Sequence, residues 1–177
     1  SKAIAALKSW NLVNSPESVG ATIFENWVIS LQACLWDDEF SADEKIPMNR
    51  PSMDRTIQLM KSDPASRWWD DVKTPAKESM SDIVMKSLQA NVDTLAKQHG
   101  SQGPEWAWYK HKQTGVRHLI PGMDALSRLN IPMGGGGTIV NATTTKTGPS
   151  WRLIVELSKE GKPKAYGVYP GGQSGNP

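Results

Sequence analysis

The sequence changes character about two-thirds of the way along, and this change constrains the fold more than any other feature. Before it, apolar residues recur every three or four positions, which is the spacing of one helix face. After the glycines at 134–137, β-branched and aromatic residues form short runs separated by Gly-Pro and Gly-Lys-Pro turns. Helices followed by strands predict an α+β fold, with a helical region over residues 1–130 and a β-strand region over 131–177.

The helical region is predicted to hold four main helices. The second begins with Ser15-Pro16-Glu17, because a serine cap, a proline at the first helical position and an acidic first turn are the favoured order. The fourth begins in the same way with Thr74 and Pro75, and ends at Gly100. The predicted helices cover residues 1–10, 15–36, 53–60 and 74–99; any helix at 66–71 must be brief, and a short helical turn is predicted at 124–129.

Three strands are predicted in the second region, over residues 138–143, 151–157 and 165–169. The middle strand alternates partly between apolar and polar residues, which indicates one buried face. The four glycines before the first strand do not fit a phosphate loop, because no Gly-Lys-Ser/Thr follows and a predicted strand replaces the helix. Close backbone packing or a bend is the better interpretation of the glycine run.

Composition excludes several classes of function. The net charge of +2 comes from 20 basic and 18 acidic residues that are scattered along the chain, so no nucleic-acid partner is predicted. A mean hydropathy of −0.48, and no apolar run of about 20 residues, argue against a membrane protein. The first residues lack a signal-peptide pattern. Cys34 cannot form an internal disulfide and is predicted to be a buried thiol.

No residue is predicted to be catalytic or to bind a cofactor or metal. Ser174 lies in a sequence similar to a nucleophile elbow, but Asn176 replaces the required glycine and no histidine follows. A thiol nucleophile at Cys34 has no local feature that would lower its pKa. The histidines His99, His111 and His118 lack the short spacing of metal ligands. The acidic pairs Asp37-Asp38 and Asp70-Asp71 are predicted to be solvated helix ends.

The eight tryptophans leave two interpretations open. Large rings wedged into a helical core are favoured. The alternative is a non-catalytic binding module, in which Trp68, Trp69, Trp106 and Trp108 stack on a carbohydrate or aromatic ligand.

Three motifs in the last third resemble the C-terminal part of the large subunit of the penicillin acylase family. They are GGGGTIVNA at 134–142, GPSWRLIVEL at 148–157 and PGGQSGNP at 170–177, in the family's order and at similar spacing. Upstream, ALKSW at 6–10 and ATIFENW at 21–27 are similar to the family's helical region. Leu95, His99-Gly100 and the tryptophans at 106 and 108 also match it, so the resemblance covers nearly the whole chain.

The resemblance implies an N-terminal-nucleophile hydrolase with an αββα sandwich. Such enzymes hydrolyse N-acyl amides through an acyl-enzyme, after self-cleavage exposes a serine, cysteine or threonine whose α-amino group is the base. An oxyanion hole of backbone N–H and asparagine stabilises the intermediate. These groups lie upstream of the matched region in the family. Ser1 opens a predicted helix rather than a strand, so the nucleophile is expected outside this chain.

The resemblance also implies partners and a location. The chain is expected to be a scaffold fragment of the large subunit, inactive alone. Its partners would be the small subunit, the N-terminal part of the large subunit and, in the parent, the N-acyl substrate. The family is generally periplasmic or secreted, and its acyl preference is set by residues outside the matched region. Without neighbouring strands, the predicted strands should expose sheet edges and apolar surface.

Overall fold

The computed structural model describes residues 1–40, 48–118, 120–148 and 151–168. The chain divides into two compact units. The first contains Ser1–Asn11 and Gly20–Gly103, and the second contains Leu12–Val19 and Pro104–Pro177. The predicted boundary between residues 130 and 131 concerns the type of secondary structure, whereas these units are defined by packing. That boundary therefore stays a prediction.

The first unit is helical. Its helices are α1 (Lys2–Ser9), α2 (Val19–Trp36, whose first residue belongs to the second unit), α3 (Met53–Ser62) and α4 (Met80–His99), with a 3-10 turn at Arg67–Trp69. The core of this unit is formed by side chains from α2, α3, the 3-10 turn and α4; its buried members are Leu31, Leu35, Trp36, Leu59, Trp69 and Ile83. The three-residue turn at Arg67–Trp69 agrees with the prediction that any helix at 66–71 must be brief.

Buried polar bonds fix the register between these helices. Trp36 Nε1 on α2 donates to Thr56 Oγ1 on α3 at 3.0 Å. Trp27 Nε1 on α2 donates to Ser87 Oγ on α4, also at 3.0 Å. A buried indole or hydroxyl that lost its partner would cost about 1–3 kcal/mol, so helix registers that break these bonds are disfavoured.

Helices α2 and α4 begin later than the sequence predicts. Residues 15–18 form a turn instead, and the carbonyl oxygen of Pro16 accepts the N–H of Tyr109 at 2.8 Å within the second unit. Helix α4 begins after Ser79, whose hydroxyl accepts the N–H of Asp82 while the Asp82 carboxylate accepts the N–H of Ser79. This reciprocal capping box supplies a better start than Thr74.

The second unit contains short elements. They are a 3-10 turn at Pro104–Trp106, α5 (Trp108–Lys112), a 3-10 turn at Asp124–Leu126, β1 (Arg152–Glu156) and β2 (Lys164–Val168). The strands β1 and β2 form an antiparallel pair in which Ile154 lies opposite Tyr166. An isolated antiparallel bridge between Val116 and Arg128 closes the loop that carries the second 3-10 turn.

Two of the three predicted strands are confirmed, and the first is wrong. Residues 138–143 form a turn that carries only an isolated parallel bridge between Gly136 and Ala142. The turn forms because the N–H of Gly136 donates to the carbonyl oxygen of Asn141 at 3.1 Å. The N–H of Thr143 in turn donates to the carbonyl oxygen of Gly136 at 3.3 Å. The strand propensity of Thr138-Ile139-Val140 yields to these local bonds.

The buried face that the alternation in β1 indicates is not formed in the described residues, and the strand exposes apolar surface as expected for the chain without its neighbouring strands. Every residue of β1 is exposed, and Ile154 on one face and Val155 on the other are 53% and 44% exposed. Burial of a strand face requires a second layer of structure. The described strands form a two-stranded sheet, and the αββα sandwich stays a prediction.

The capping box of α4 gives a direct test of where the helix begins. We expect Ser79→Ala to lower the free energy of unfolding by about 1 kcal/mol, because the first turn loses its side-chain acceptor. Urea denaturation followed by circular dichroism measures the change. Ser81→Ala, at an exposed position in the same turn, is the control. Equal stability of the two variants would contradict the capping box.

Candidate functional site

Ser1 lies at a helix start. Its side chain is exposed, and its Oγ accepts the N–H of Ile4 at 3.5 Å as the N-cap of α1. This is a capping geometry rather than the start of a strand. The expectation that Ser1 is not the nucleophile stays a prediction, and the cap supplies a structural reason for a serine at this position.

Cys34 is half-buried on α2 and packs against the core of the first unit. Burial raises the pKa of the Cys34 thiol, and the charges of Asp71 and Asp37 act in the same direction, whereas the charge of Lys86 opposes them. A thiol with a raised pKa carries little thiolate at neutral pH, so it is a weak nucleophile. These features are those of a packing residue.

The acidic pairs bond to nearby groups in the first unit. Asp38 Oδ2 accepts the N–H of Val72 at 3.0 Å, and Asp70 Oδ1 accepts the N–H of Glu78 at 2.9 Å. Asp37 forms an exposed ion pair with Arg50. The bonds of Asp38 and Asp70 hold the turn between the 3-10 helix and α4.

Asp71 has a charged partner in this turn. Its Oδ2 accepts a hydrogen bond from Lys86 Nζ at 3.1 Å, and its Oδ1 accepts the N–H of Lys73 at 3.1 Å. Burial acts to raise the pKa of Asp71, but the hydrogen bonds and the charges of both lysines together lower it below its usual value. A carboxylate held ionised in this way is an ion-pair partner and not a general acid.

The three histidines lie in different parts of the chain, two on helices and one in a loop. His99 is the last residue of α4, and His111 in α5 stacks on Trp108 with ring centroids 6.0 Å apart. His118 Nδ1 accepts the N–H of Ile120 at 3.2 Å, so in its neutral form His118 carries its proton on Nε2. In the described ranges, no group of three or more His, Cys, Asp or Glu residues has an arrangement for a metal ion.

Three of the four tryptophans of the stacking hypothesis are buried. Trp69 and Trp106 are 1% exposed and Trp108 is 7% exposed. Trp68 lies 5.6 Å from Trp36 between ring centroids, and the guanidinium of Arg67 covers it at 4.5 Å. Rings packed in this way offer no open face for a sugar, so the carbohydrate-binding interpretation is not supported. Ser174 lies outside the described residues.

Described residues of the first unit line two open surface grooves. One has a volume of about 560 Å³ along α3, and the other about 310 Å³ beside the turn before α4. The smaller groove is lined by Asp70 and Glu78 together with Arg67 and Lys77, so its charges are mixed. No helix in the described part of the chain is both long and apolar enough to cross a bilayer.

A buried lysine in the second unit is the centre of a polar cluster that the sequence analysis missed. Lys112 ends α5 and is 5% exposed. Its Nζ donates to the carbonyl oxygen of Gly134 at 2.7 Å, to Thr143 Oγ1 at 2.6 Å and to the carbonyl oxygen of Gly135 at 3.4 Å. The ring centroid of Trp108 lies 5.6 Å from Nζ, within range of a cation–π interaction.

The glycine run forms the turn around this lysine. Gly135 has φ +87°, and a Cβ there would collide with the carbonyl oxygen of Asn141. A Cβ on Gly134 would collide with the carbonyl oxygen of Asn14, which accepts the N–H of Gly135 at 2.9 Å. Both positions therefore require glycine, as the prediction of close backbone packing states.

The bonding around Lys112 favours a structural role. Burial lowers the pKa of Lys112, because the low-dielectric interior disfavours its charge. However, an ammonium group has three protons and this site provides three oxygen acceptors. All three protons of the ammonium are therefore used, and no lone pair remains to act as a base. The cluster ties α5 to the glycine turn.

A sequence signal for this site existed in the spacing of two residues. Trp108 and Lys112 are four positions apart, which places them on one face of a helix. A lysine sharing a face with a large apolar ring is a candidate for burial of its alkyl chain. The partners Gly134 and Thr143 are distant in sequence, so nothing local indicates them.

Comparison with known sequences finds a matching family model and several curated relatives. The family model described as Penicillin amidase matches residues 1–177. Curated relatives include acyl-homoserine lactone acylases named QuiP. The one from Pseudomonas syringae pv. syringae is 33% identical over 125 residues, covering 63% of this chain and 15% of the relative. Those from Pseudomonas aeruginosa and Pseudomonas fluorescens are 30% and 29% identical, covering 63% and 92% of this chain and 16% and 21% of the relatives.

The chain spans about a fifth or less of the length of the curated relatives it matches. No solved structure matches it significantly.

The role of Lys112 can be tested by removing its charge. We expect Lys112→Met to lower the free energy of unfolding by about 1–3 kcal/mol, because three hydrogen bonds to a buried cation are lost. Lys110→Met is the control, since Lys110 is on the same helix but pairs at the surface with Glu105. Its loss of stability should be much smaller, because a surface ion pair is screened by solvent. Urea denaturation followed by tryptophan fluorescence measures both, and equal losses would contradict the structural role of Lys112.

The lowered pKa of Asp71 predicts a pH dependence. A depressed carboxyl pKa stabilises the folded state above the unfolded pKa, about 3.9, and this contribution is lost as the pH falls through the folded value. We expect Asp71→Asn to lose less stability than wild type between neutral and acidic pH, by under about 1 kcal/mol because the site is partly solvated.

Urea denaturation at several pH values measures this difference. Asp93→Asn is the control, because the Asp93 carboxylate accepts a bond from the neutral amide of Gln89. Identical pH profiles for Asp71→Asn and wild type would refute the prediction.

Proposed function

This chain belongs to the penicillin amidase family, and on that premise we propose that it is part of an amidohydrolase that cleaves N-acyl amide bonds. The observation that carries the proposal is the family match over residues 1–177. In the proposed reaction, a nucleophile attacks the amide carbonyl carbon and the amine leaves with a proton. Water then hydrolyses the acyl-enzyme to a carboxylic acid and restores the nucleophile.

Acyl-homoserine lactones are the first substrates to consider. The relatives that support this are named acyl-homoserine lactone acylases, and they are 29–33% identical to the chain over the matched residues. Such a substrate contains the same N-acyl amide bond that a penicillin side chain contains. We therefore propose cleavage of the N-acyl amide bond, and the preferred acyl group is to be determined by assay.

We assign this segment a scaffold role and place the nucleophile elsewhere in the enzyme. Three features of the described chain support this division. Ser1 Oγ caps α1, burial raises the pKa of the Cys34 thiol, and the Asp71 carboxylate is paired with Lys86. Each of these groups has a structural partner or a protonation state that is unfavourable for nucleophilic attack.

The hairpin of β1 and β2 supports the proposal that further parts of the enzyme pack on this chain. Apolar side chains lie on both of its faces, including Leu153 at 51% and Tyr166 at 57% exposure. An isolated two-stranded hairpin is marginally stable in water. In the proposed enzyme these strands join a larger sheet of the αββα type, with the small subunit and the N-terminal part of the large subunit as partners. A periplasmic or secreted location is proposed from the family resemblance.

Assays of the chain and of the complete enzyme test the proposal. The complete enzyme should release p-nitroaniline from N-phenylacetyl-p-nitroanilide or free homoserine lactone from N-decanoyl-homoserine lactone. The 177-residue chain alone should release neither. Failure of the complete enzyme on every N-acyl amide would refute the function. Hydrolysis by the chain alone that disappears in Ser1→Ala would refute the scaffold role and identify Ser1 as the nucleophile.

A further inference from the structure

We propose that the oxygen atoms around Lys112 Nζ form a monovalent-cation site, which the lysine's own ammonium group occupies in this chain. A small primary ammonium ion should bind there when the lysine side chain is removed. Such binding is separate from amide hydrolysis, because it holds the glycine turn and takes part in no catalytic step. We call this site the ammonium cage; it consists of the carbonyl oxygens of Gly134 and Gly135, Thr143 Oγ1 and the ring of Trp108.

The hydrogen bonds inside the ammonium cage are directed for a cation. Thr143 Oγ1 donates its proton to the carbonyl oxygen of Gly134 at 2.6 Å, so toward Lys112 it presents a lone pair. The carbonyl oxygen of Gly135 accepts from Trp108 Nε1 at 2.5 Å and also faces Nζ. A neutral amine would bring one lone pair to a site whose neighbouring oxygens present lone pairs. The protonated ammonium satisfies every atom of the cage.

The chemistry of the cage selects a single positive charge. Its ligands are two carbonyl oxygens and a hydroxyl, with an aromatic face 5.6 Å from Nζ. Calcium and magnesium sites are built largely on carboxylates, and none of these cage ligands is a carboxylate. Neutral carbonyl oxygens replace the hydration shell of monovalent ions, and aromatic faces attract ammonium groups. The primary ammonium is the ligand that also supplies three donors.

Backbone contacts outside the lysine hold the cage open. In an extended chain successive carbonyls point to opposite sides, but the positive φ of Gly135 lets neighbouring carbonyls converge on one point. Gly135 N–H is fixed by Asn14, and Gly136 bonds with both Asn141 and Thr143. Because these bonds do not involve Lys112, the oxygens should keep their positions when its side chain is shortened.

Chemical rescue of a truncated variant tests the inference. Lys112→Ala removes three carbon atoms and the ammonium, which n-propylammonium supplies as a separate ion. We expect n-propylammonium chloride to raise the Tm of Lys112→Ala by a few degrees, on the order expected for a ligand that binds only the folded state. Tetramethylammonium chloride at equal ionic strength has the same charge but no N–H donor and should give no such rise. Potassium chloride at equal ionic strength, whose ion carbonyl oxygens also bind, should raise the Tm less than n-propylammonium does, and an equal or larger rise would contradict the preference for ammonium.

Matched variants distinguish a Tm rise caused by binding in the cage from a general effect of the salt on stability. Lys110→Ala, which removes a half-buried side chain that pairs with Glu105 and not with the cage, should respond equally to both organic cations. Lys112→Met fills the space with an apolar chain and should not respond to n-propylammonium. No difference between n-propylammonium and tetramethylammonium in Lys112→Ala, or an equal rescue of Lys112→Met, would overturn the proposal.

A measurement on the wild-type chain keeps the inference testable if Lys112→Ala does not fold. In the 15N-labelled chain, a lysine ammonium resonance should retain its protons at neutral pH because hydrogen exchange is slowed by burial. The resonance should persist in Lys110→Ala and be absent from Lys112→Met. A wild-type spectrum without a protected ammonium resonance would overturn the proposal, because the cage would then not hold a charged group.

Discussion

Burial of one face of α2 is the constraint on which the first unit depends. Leu31, Leu35 and Trp36 are at most 3% exposed and contribute much of the core, and a fully buried large apolar side chain stabilises a fold by about 1.5–3 kcal/mol. Tryptophan adds a requirement that leucine lacks, since its indole N–H must find an acceptor once it is buried. The bonds from Trp36 and Trp27 meet that requirement, and they make the packing specific as well as apolar.

The second unit is held together by a different kind of interaction. Its described strands leave their apolar side chains exposed, so polar bonds carry more of the organisation. The ammonium cage joins α5 to the glycine turn, and Asn14 joins the turn to a segment near the start of the chain. A unit held in this way is specific in geometry but gains less from apolar burial, in agreement with the proposed role as one part of a larger enzyme.

Local signals in the sequence predicted the elements whose ends are set by local bonds. Helix α3, the end of α4 at Gly100, and both strands of the hairpin follow from spacing and turn residues. The prediction errors arose where residues distant in the sequence determine the local structure. Pro16 looked like a helix start, but its carbonyl oxygen bonds Tyr109, and Thr138-Ile139-Val140 looked like a strand but lies in a turn. The ammonium cage was missed for the same reason, because Lys112 meets partners that no local pattern connects to it.

The membership of residues 12–19 in the second unit has a consequence for the order of events during synthesis. The carbonyl oxygens of Asn14 and Pro16 accept hydrogen bonds from Gly135 and Tyr109, which are translated much later. At about 5–20 residues per second, the wait for Gly135 is on the order of ten seconds. During that interval the ribosome has already delivered all of α2, α3 and α4. These two hydrogen bonds of the segment between α1 and α2 can therefore form only after every residue of the helices on both sides of it has been made.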